Sequence, residues 1–202
     1  MEDAEKCAHC EGGIGLEYPL YEDDNFWIVC DAHPLIEGHI LIIPKEHVSC
    51  MGALNDEFFN HYKKLYQKVL LFIKNEYGDA GIFEHGIAGQ TVFHAHTHFL
   101  PFNNAIRKIV PEENSITKIS TLNKIQEEFN AKGKYLFVAL NNDMWLINVD
   151  IAYPGFFRDR FANLLNAKER GNWKKARDNA KLMKTFSKDI SELKNKWDEF
   201  FQ

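Results

Sequence analysis

An α+β fold, with an antiparallel sheet carrying helices on one face, is what the sequence predicts, and three observations lead there. Short apolar runs bounded by turn residues recur at 26–31, 39–44, 81–85 and 92–100, each of a length suited to a strand. Between the second and third of these, residues 56–76 carry Phe58, Phe59, Tyr62, Leu65, Tyr66, Val69, Leu70 and Ile73 at helical spacing. Further on, two apolar runs at 135–141 and 144–150 flank the polar Asn141-Asn142-Asp143, which is the pattern of a β-hairpin.

The remaining elements follow in order. Asn55 or Asp56 is placed to cap the long helix, and Gly78 to end it. Residues 102–115 read as a connecting loop, and 121–131 as a helix. From Gly155 onward the chain is helical and charge-rich. Ala176, Ala180, Met183, Phe186, Ile190, Leu193 and Trp197 recur every three to four residues, a stripe for packing on the domain or on a second chain. The lysines beside that stripe read as a solvated face.

Composition bounds the function. The 202 residues, 45% hydrophobic and 26% charged, suit one sizeable domain or a domain with an extension. A net charge of −5 gives no overall basic footprint for nucleic acid, so an anionic substrate needs local positive or dipolar groups. No apolar stretch approaches a membrane span. Residues 1–7 are acidic and polar, without the apolar core of a signal peptide. The four cysteines form no disulfide framework: Cys7 and Cys10 are paired as Cys-x-x-Cys, and Cys30 and Cys50 stand alone. This points to a reducing cytoplasm, and to a metal or redox role for the pair.

The most informative stretch is 93–101, Phe-His-Ala-His-Thr-His-Phe-Leu-Pro. Strict alternation predicts a strand whose three imidazoles, His94, His96 and His98, project from one face. Imidazole serves both proton transfer near neutral pH and metal ligation.

With its lead-in Gly89-Gln90-Thr91-Val92, this stretch resembles the signature of the histidine triad (HIT) superfamily, His-x-His-x-His followed by apolar residues. The lead-in and the Leu-Pro tail are similar to the dinucleoside-polyphosphate-hydrolase branch. Residues 21–47 add the matching upstream pattern: a strand ending in Asp31, Gly38-His39, an apolar strand, then Pro44-Lys45-Glu46-His47. The resemblance covers about residues 7–102, which gives a HIT domain at 1–102 and a C-terminal extension at 103–202, packed on that domain or on a dimer partner. It implies a HIT-like antiparallel sheet with helices on one face, a nucleotide substrate and a homodimer.

The resemblance also implies roles. His96, the middle histidine, is the expected nucleophile, attacking the α-phosphorus of a nucleotide to give a nucleotidyl-histidine that water then hydrolyses. His98 contacts the phosphate. Gln90 and Thr91 fall where the family places polar contacts to the phosphates and the leaving-group side, and Gly89 permits close backbone approach. Asp31 matches the acid that accepts the ribose hydroxyls; it also reads as a turn residue before Pro34. In one HIT branch a Cys-x-x-Cys pair joins two histidines around a structural zinc, which here makes Cys7, Cys10, His47 and His94 the ligands. His9, inside that loop, is expected to face solvent. A dithiol redox pair, two free thiols, and a catalytic zinc on all three triad histidines are the alternatives.

Glu84 stands where two branches carry an amide near the phosphates, so it either sits protonated there or orients the zinc histidines. The segment 153–165, with Trp173 beyond it, is similar to a C-terminal block of some bacterial HIT-like proteins; Arg158 and Arg160 are there either for substrate phosphates or for surface ion pairs. The function implied is a nucleotide hydrolase acting on a dinucleoside polyphosphate or nucleotide conjugate. A nucleotidyltransferase or phosphorylase using the same intermediate, and a non-catalytic zinc-stabilised nucleotide-binding module, are the rivals.

Overall fold

The computed structural model describes residues 7–202; the acidic stretch at 1–6 lies outside the described residues. Eight antiparallel strands form one sheet: β1 (Pro19–Glu22), β2 (Phe26–Cys30), β3 (Ile40–Pro44), β4 (Ala80–Glu84), β5 (Thr97–Pro101), β6 (Ile116–Ile119), β7 (Leu136–Leu140) and β8 (Asp143–Ile147). Their spatial order is β1-β2-β3-β5-β4-β7-β8-β6. The fold is α+β, as the sequence predicts.

Helix α1 (Asp56–Tyr77) starts where the Asn55 side chain accepts from the Phe58 N–H at 2.9 Å, and stops at Gly78, whose φ of +91° suits glycine. Such a cap contributes about 1 kcal/mol. The helix lays Phe59, Tyr62, Tyr66, Val69 and Ile73 on the sheet against Ile28, Ile42, Ile82 and Phe99. Helix α7 (Ala180–Phe200) joins the same core through Ile190, Leu193 and Trp197, with the Trp197 ring 4.9 Å from that of Phe72. The stripe predicted there therefore packs on the chain's own domain.

The opposite face is divided. Over β4, β5 and β7, helix α4 (Phe156–Leu164) buries Phe156, Phe157 and Phe161 on Phe83, Leu100 and Val138. Over β2 and β3, Leu16 of the N-terminal loop packs on Trp27, Val29, Leu41 and Ile43, and the site described below lies beside this stretch.

The extension is continuous with the sheet. β7 pairs with the outer edge of β4, Gly81 opposite Leu140 through Glu84 opposite Phe137, so the ladder runs unbroken from the first hundred residues into the last hundred. An uncovered β4 would present a row of unpaired N–H and C=O groups. The predicted hairpin is β7–β8, with Leu140 opposite Asp143 across a two-residue turn. The predicted loop at 102–115 contains a short helix, α2 (Ile106–Ile109), and the short helices α3 (Asn123–Lys132), α5 (Lys168–Gly171) and α6 (Trp173–Ala176) complete the set.

One strand is shorter than predicted. Of the run at 92–100 only Thr97 onward is strand, because the backbone before it is committed elsewhere. The Ala95 N–H donates to the Val48 carbonyl, and His94 donates through Nε2 to the Pro44 carbonyl, which holds residues 94–96 against the loop after β3.

Candidate functional site

The three alternate histidines do not share one environment. His96 and His98 face each other with ring centroids 4.9 Å apart. His94 turns instead toward Cys7, Cys10 and His47. The prediction of one common face fails for His94 because its segment precedes the strand.

A chain of hydrogen bonds sets the tautomers. The Leu35 N–H donates to His39 Nδ1 at 3.0 Å, which makes that nitrogen an acceptor. Burial pushes the His39 pKa down to about 4, so the ring is neutral and its one proton is on Nε2. Nε2 then donates to His98 Nδ1 at 2.9 Å, which leaves the His98 proton on Nε2. That Nε2 is buried without a partner among the described residues. His96 donates through Nδ1 to the His94 carbonyl at 2.6 Å, so its Nε2 carries a free lone pair. Burial lowers the His96 pKa, against the opposing effect of that hydrogen bond, and keeps the ring neutral. A nucleophilic nitrogen and an N–H donor thus stand side by side out of bulk water. Sequence reasoning missed His39; its Gly-His position before an apolar strand was the available signal.

The cavity over His96 and His98 is lined by Asp31, His33, Leu41, Thr91, Arg158 and Trp173, with Ala8, His9 and Ile14 from the N-terminal loop. His9 corrects an expectation: it is 6% exposed, and its ring stands edge-on to His96 at 4.6 Å. Gly15 makes room for it, since a Cβ there would lie 2.4 Å from the His9 ring.

The extension supplies two cavity walls. Arg158 is buried and donates to Asp31 Oδ2 at 2.7 Å and to the His33 carbonyl at 2.7 Å. Burial pushes the Asp31 carboxyl up, but Arg158 and the His33 N–H together hold it well below the usual carboxylate range. Asp31 therefore faces the cavity as an anion that already accepts two hydrogen bonds, with further lone pairs on its oxygens. Trp173 donates through its indole N–H to the Thr91 hydroxyl at 3.2 Å. Gly89 is approached closely, and by the chain itself: a Cβ there would lie 3.0 Å from the Tyr153 carbonyl.

Three other residues sit away from this cavity. Gln90 donates to the Ser49 carbonyl at 2.6 Å. Arg160 pairs with Glu112. Glu84 is fully buried, accepting from the Met51 N–H at 2.8 Å and the Tyr135 hydroxyl at 2.6 Å. It bonds neither to the zinc-site histidines nor into the cavity; it ties β4 to the turn at 51–53. Burial, only partly offset by those two donors, raises its pKa to about 7.

Cys7, Cys10, His47 and His94 come together in one cluster, their ligand atoms all within 4.8 Å of one another. Cys10 Sγ lies 3.1 Å from His47 Nδ1 and 3.5 Å from His94 Nδ1, and Cys7 Sγ 3.5 Å from His94 Nδ1. Zn–S and Zn–N bonds of about 2.3 and 2.0 Å in a tetrahedron put ligand atoms roughly 3.3–3.8 Å apart, close to these values. The His94 hydrogen bond to Pro44 fixes its Nδ1 as the free donor toward the cluster. The donor set fits a divalent metal of the zinc type.

Two buried histidines side by side at the start of β5, a cavity over them and an adjacent cysteine–histidine cluster define a histidine-based site on an antiparallel sheet. The HIT domain family matches residues 17–105. A HIT-like protein of Borreliella burgdorferi is 37% identical over 90 residues, 42% of this chain and 65% of that one. The protein named hit of Bacillus subtilis is 32% identical over 107 residues, 50% of this chain and 74% of that one. Among solved structures, a zinc-bound histidine triad protein of Mycobacterium smegmatis aligns with a TM-score of 0.43 at 24% identity, over 64% of this chain and 94% of that one. The chain belongs to the HIT family.

Proposed function

We propose that the protein is a nucleotide hydrolase that cleaves at the α-phosphate of a dinucleoside polyphosphate or nucleotide conjugate, with His96 as nucleophile. The observation that carries this reading is the tautomer of His96: with Nδ1 donating to the His94 carbonyl, the Nε2 lone pair is free for phosphorus. Attack forms an N–P bond and breaks the bond from phosphorus to the leaving oxygen. Water then displaces His96 and releases the nucleoside monophosphate. The His98 Nε2–H, aligned through His39, is a donor for the phosphate oxygens as charge gathers on them. Thr91, on the cavity wall, is the hydroxyl for the leaving-group side. Asp31 and the apolar Ile14 and Leu41 suit a nucleoside.

The cluster of Cys7, Cys10, His47 and His94 is read as a zinc site. Four protein ligands leave no open position, so bound zinc supplies structure: it pins the N-terminal loop, and with it His9, to the segment carrying His94 and His96.

The test is chromatographic product analysis with diadenosine tetraphosphate, with and without inorganic phosphate, for wild type and His96→Ala. AMP and ATP from wild type alone, regardless of phosphate, is the expected result. ADP formed only with phosphate moves the protein to the phosphorylases. Equal turnover by His96→Ala overturns the mechanism.

A further inference from the structure

On the face of the sheet away from His98, the extension closes a second pocket of about 340 Å³ against α1. Tyr66 lines it and packs on Phe99, whose side chain leaves β5 on the side opposite to that of its neighbour His98. The volume falls in the range of small-molecule sites, about 300–1,000 Å³. One wall is α1, through positions 63, 66, 67 and 70, whose spacing puts them on one helix face. The others are the start of α3 at 121–123 and the β7–β8 turn with Met144.

Three features of this pocket favour an anion. The first is the N-terminus of α3, which no side chain caps and whose first turn holds no acidic residue. Its hydrogen bonding begins with the Lys124 N–H to the Thr121 carbonyl and the Ile125 N–H to the Leu122 carbonyl. The N–H groups of Leu122 and Asn123 have no partner among the described residues. A helix end carries roughly half a positive charge, though by itself this is common. The second feature is Tyr66, which is 2% exposed and whose hydroxyl is buried without a partner among the described residues. Burial raises its pKa, so the hydroxyl keeps its proton. The hydroxyl of Tyr62, one turn earlier, is paired with Thr97 at 2.9 Å. An unpaired buried hydroxyl carries a cost that an acceptor on a ligand removes. The third is Lys63, whose ammonium donates to the Asn123 side chain at 3.1 Å. It has two further protons to give, and no acidic partner among the described residues. No Asp or Glu is among the described residues lining the pocket, in a chain where they outnumber Lys and Arg by 29 to 24.

The positive charge here is limited to one lysine and a helix end, which balances a single negative charge better than a phosphate dianion. Leu70, Leu122 and Met144 supply an apolar side. We propose that this pocket binds a small organic carboxylate, its oxygens held by the α3 N-terminus, Lys63 and the Tyr66 hydroxyl, and its carbon body lying on Leu70, Leu122 and Met144. This site is separate from the histidine pair and independent of the hydrolase reading.

The experiment follows backbone amides of the full chain by NMR during titration with sodium benzoate, benzyl alcohol and inorganic phosphate in turn. Benzoate is expected to give saturable shifts at the Leu122, Asn123 and Lys124 amides, with benzyl alcohol and phosphate at least about tenfold weaker. Lys63→Met should weaken benzoate about tenfold and Tyr66→Phe about fivefold. Lys108→Met, at an exposed position on α2, should stay within about twofold of wild type. Amide shifts that stay unchanged far from the pocket report that each variant is folded; if Tyr66→Phe is not, Lys63→Met decides. Benzyl alcohol bound as tightly as benzoate would make the pocket merely apolar, and phosphate bound more tightly would make it a phosphate site. Either result overturns the inference, as does the absence of a saturable benzoate shift or one indifferent to Lys63.

Discussion

Replacing Arg158 by methionine tests how the extension holds the site. The guanidinium donates to Asp31 Oδ2 and to the His33 carbonyl at 2.7 Å each, and through Nε to the Gly171 carbonyl at 3.3 Å. Methionine keeps much of the stem volume and removes the charge, leaving an Asp31 carboxylate that is 6% exposed. Removing one partner of a buried pair costs about 3–5 kcal/mol, because the remaining charge is uncompensated. The sign of the pH dependence follows. In wild type, the folded-state pKa of Asp31 is depressed, so its contribution is full above the unfolded value and is lost as pH falls through the folded one. Without Arg158, burial dominates and the folded value rises above the unfolded one. The deficit of Arg158→Met should therefore be largest near neutral pH and shrink toward pH 5, by about 1.4 kcal/mol for each unit of pKa separation recovered. The assay is urea unfolding from pH 5 to 8, with Asp31→Asn/Arg158→Met alongside. Removing the stranded carboxylate is expected to recover about 2 kcal/mol relative to Arg158→Met. A deficit under 1 kcal/mol, a deficit flat with pH, or simple additivity of the two substitutions would refute the reasoning.

Other expectations follow from the same geometry. The Glu84 pKa, raised by burial to about 7 from 4.5, means that its contribution is fully present below the unfolded value and is lost as pH rises through 7. Wild-type stability measured against Glu84→Gln should accordingly fall by about 2–3 kcal/mol between pH 5 and 8.5, and a constant difference in denaturant melts would count against this. Metal analysis of purified protein should find one zinc per chain, lost in Cys10→Ser; chelation should lower Tm by about 10 °C or more. Absence of bound metal in wild type would remove the cluster's assigned role. For His39→Ala, kcat should drop roughly 100-fold with a smaller change in KM, since His98 is freed to take the other tautomer. Steady-state kinetics showing a change in KM alone would instead make His39 a binding residue.

What the sequence made legible was local. The helix at 56–77, the strands at 26–30 and 40–44 and the hairpin around Asn141 each announce themselves by periodicity and turn chemistry within a few residues. The Cys7, Cys10, His47 and His94 cluster was reachable through the family resemblance, and the structure brings those four together. What periodicity could not give was any pairing set by the path of the whole chain. Arg158 was left between phosphate contact and surface ion pair, because its partner Asp31 lies 127 positions earlier. Glu84 was read by its neighbours in the motif, whereas the Tyr135 hydroxyl that holds it comes from the far side of the extension. His9 was assigned to solvent from its place in a loop. The absence of a side chain at Gly15, which opens the space for its ring, carried the contrary signal. The alternation at 92–100 misled for a related reason: the demands of His94 on Pro44 and the cysteines outweigh strand pairing there.

Two of these misses, Arg158 and Glu84, share a direction: each concerns the second half of the chain reaching into the first. β7 continues the ladder from β4; the Tyr153–Gly155 turn closes on Gly89; Arg158 neutralises Asp31; Trp173 holds Thr91. Each of these four contacts lands within or beside the loop and strands that carry His96 and His98, and each uses a backbone edge, an anion or a hydroxyl that would otherwise face water. A sheet edge, a buried carboxylate and an open cavity wall all carry a cost when left uncovered. The extension covers all three at once, so the precision of the histidine pair depends on residues that no motif of the first hundred positions contains.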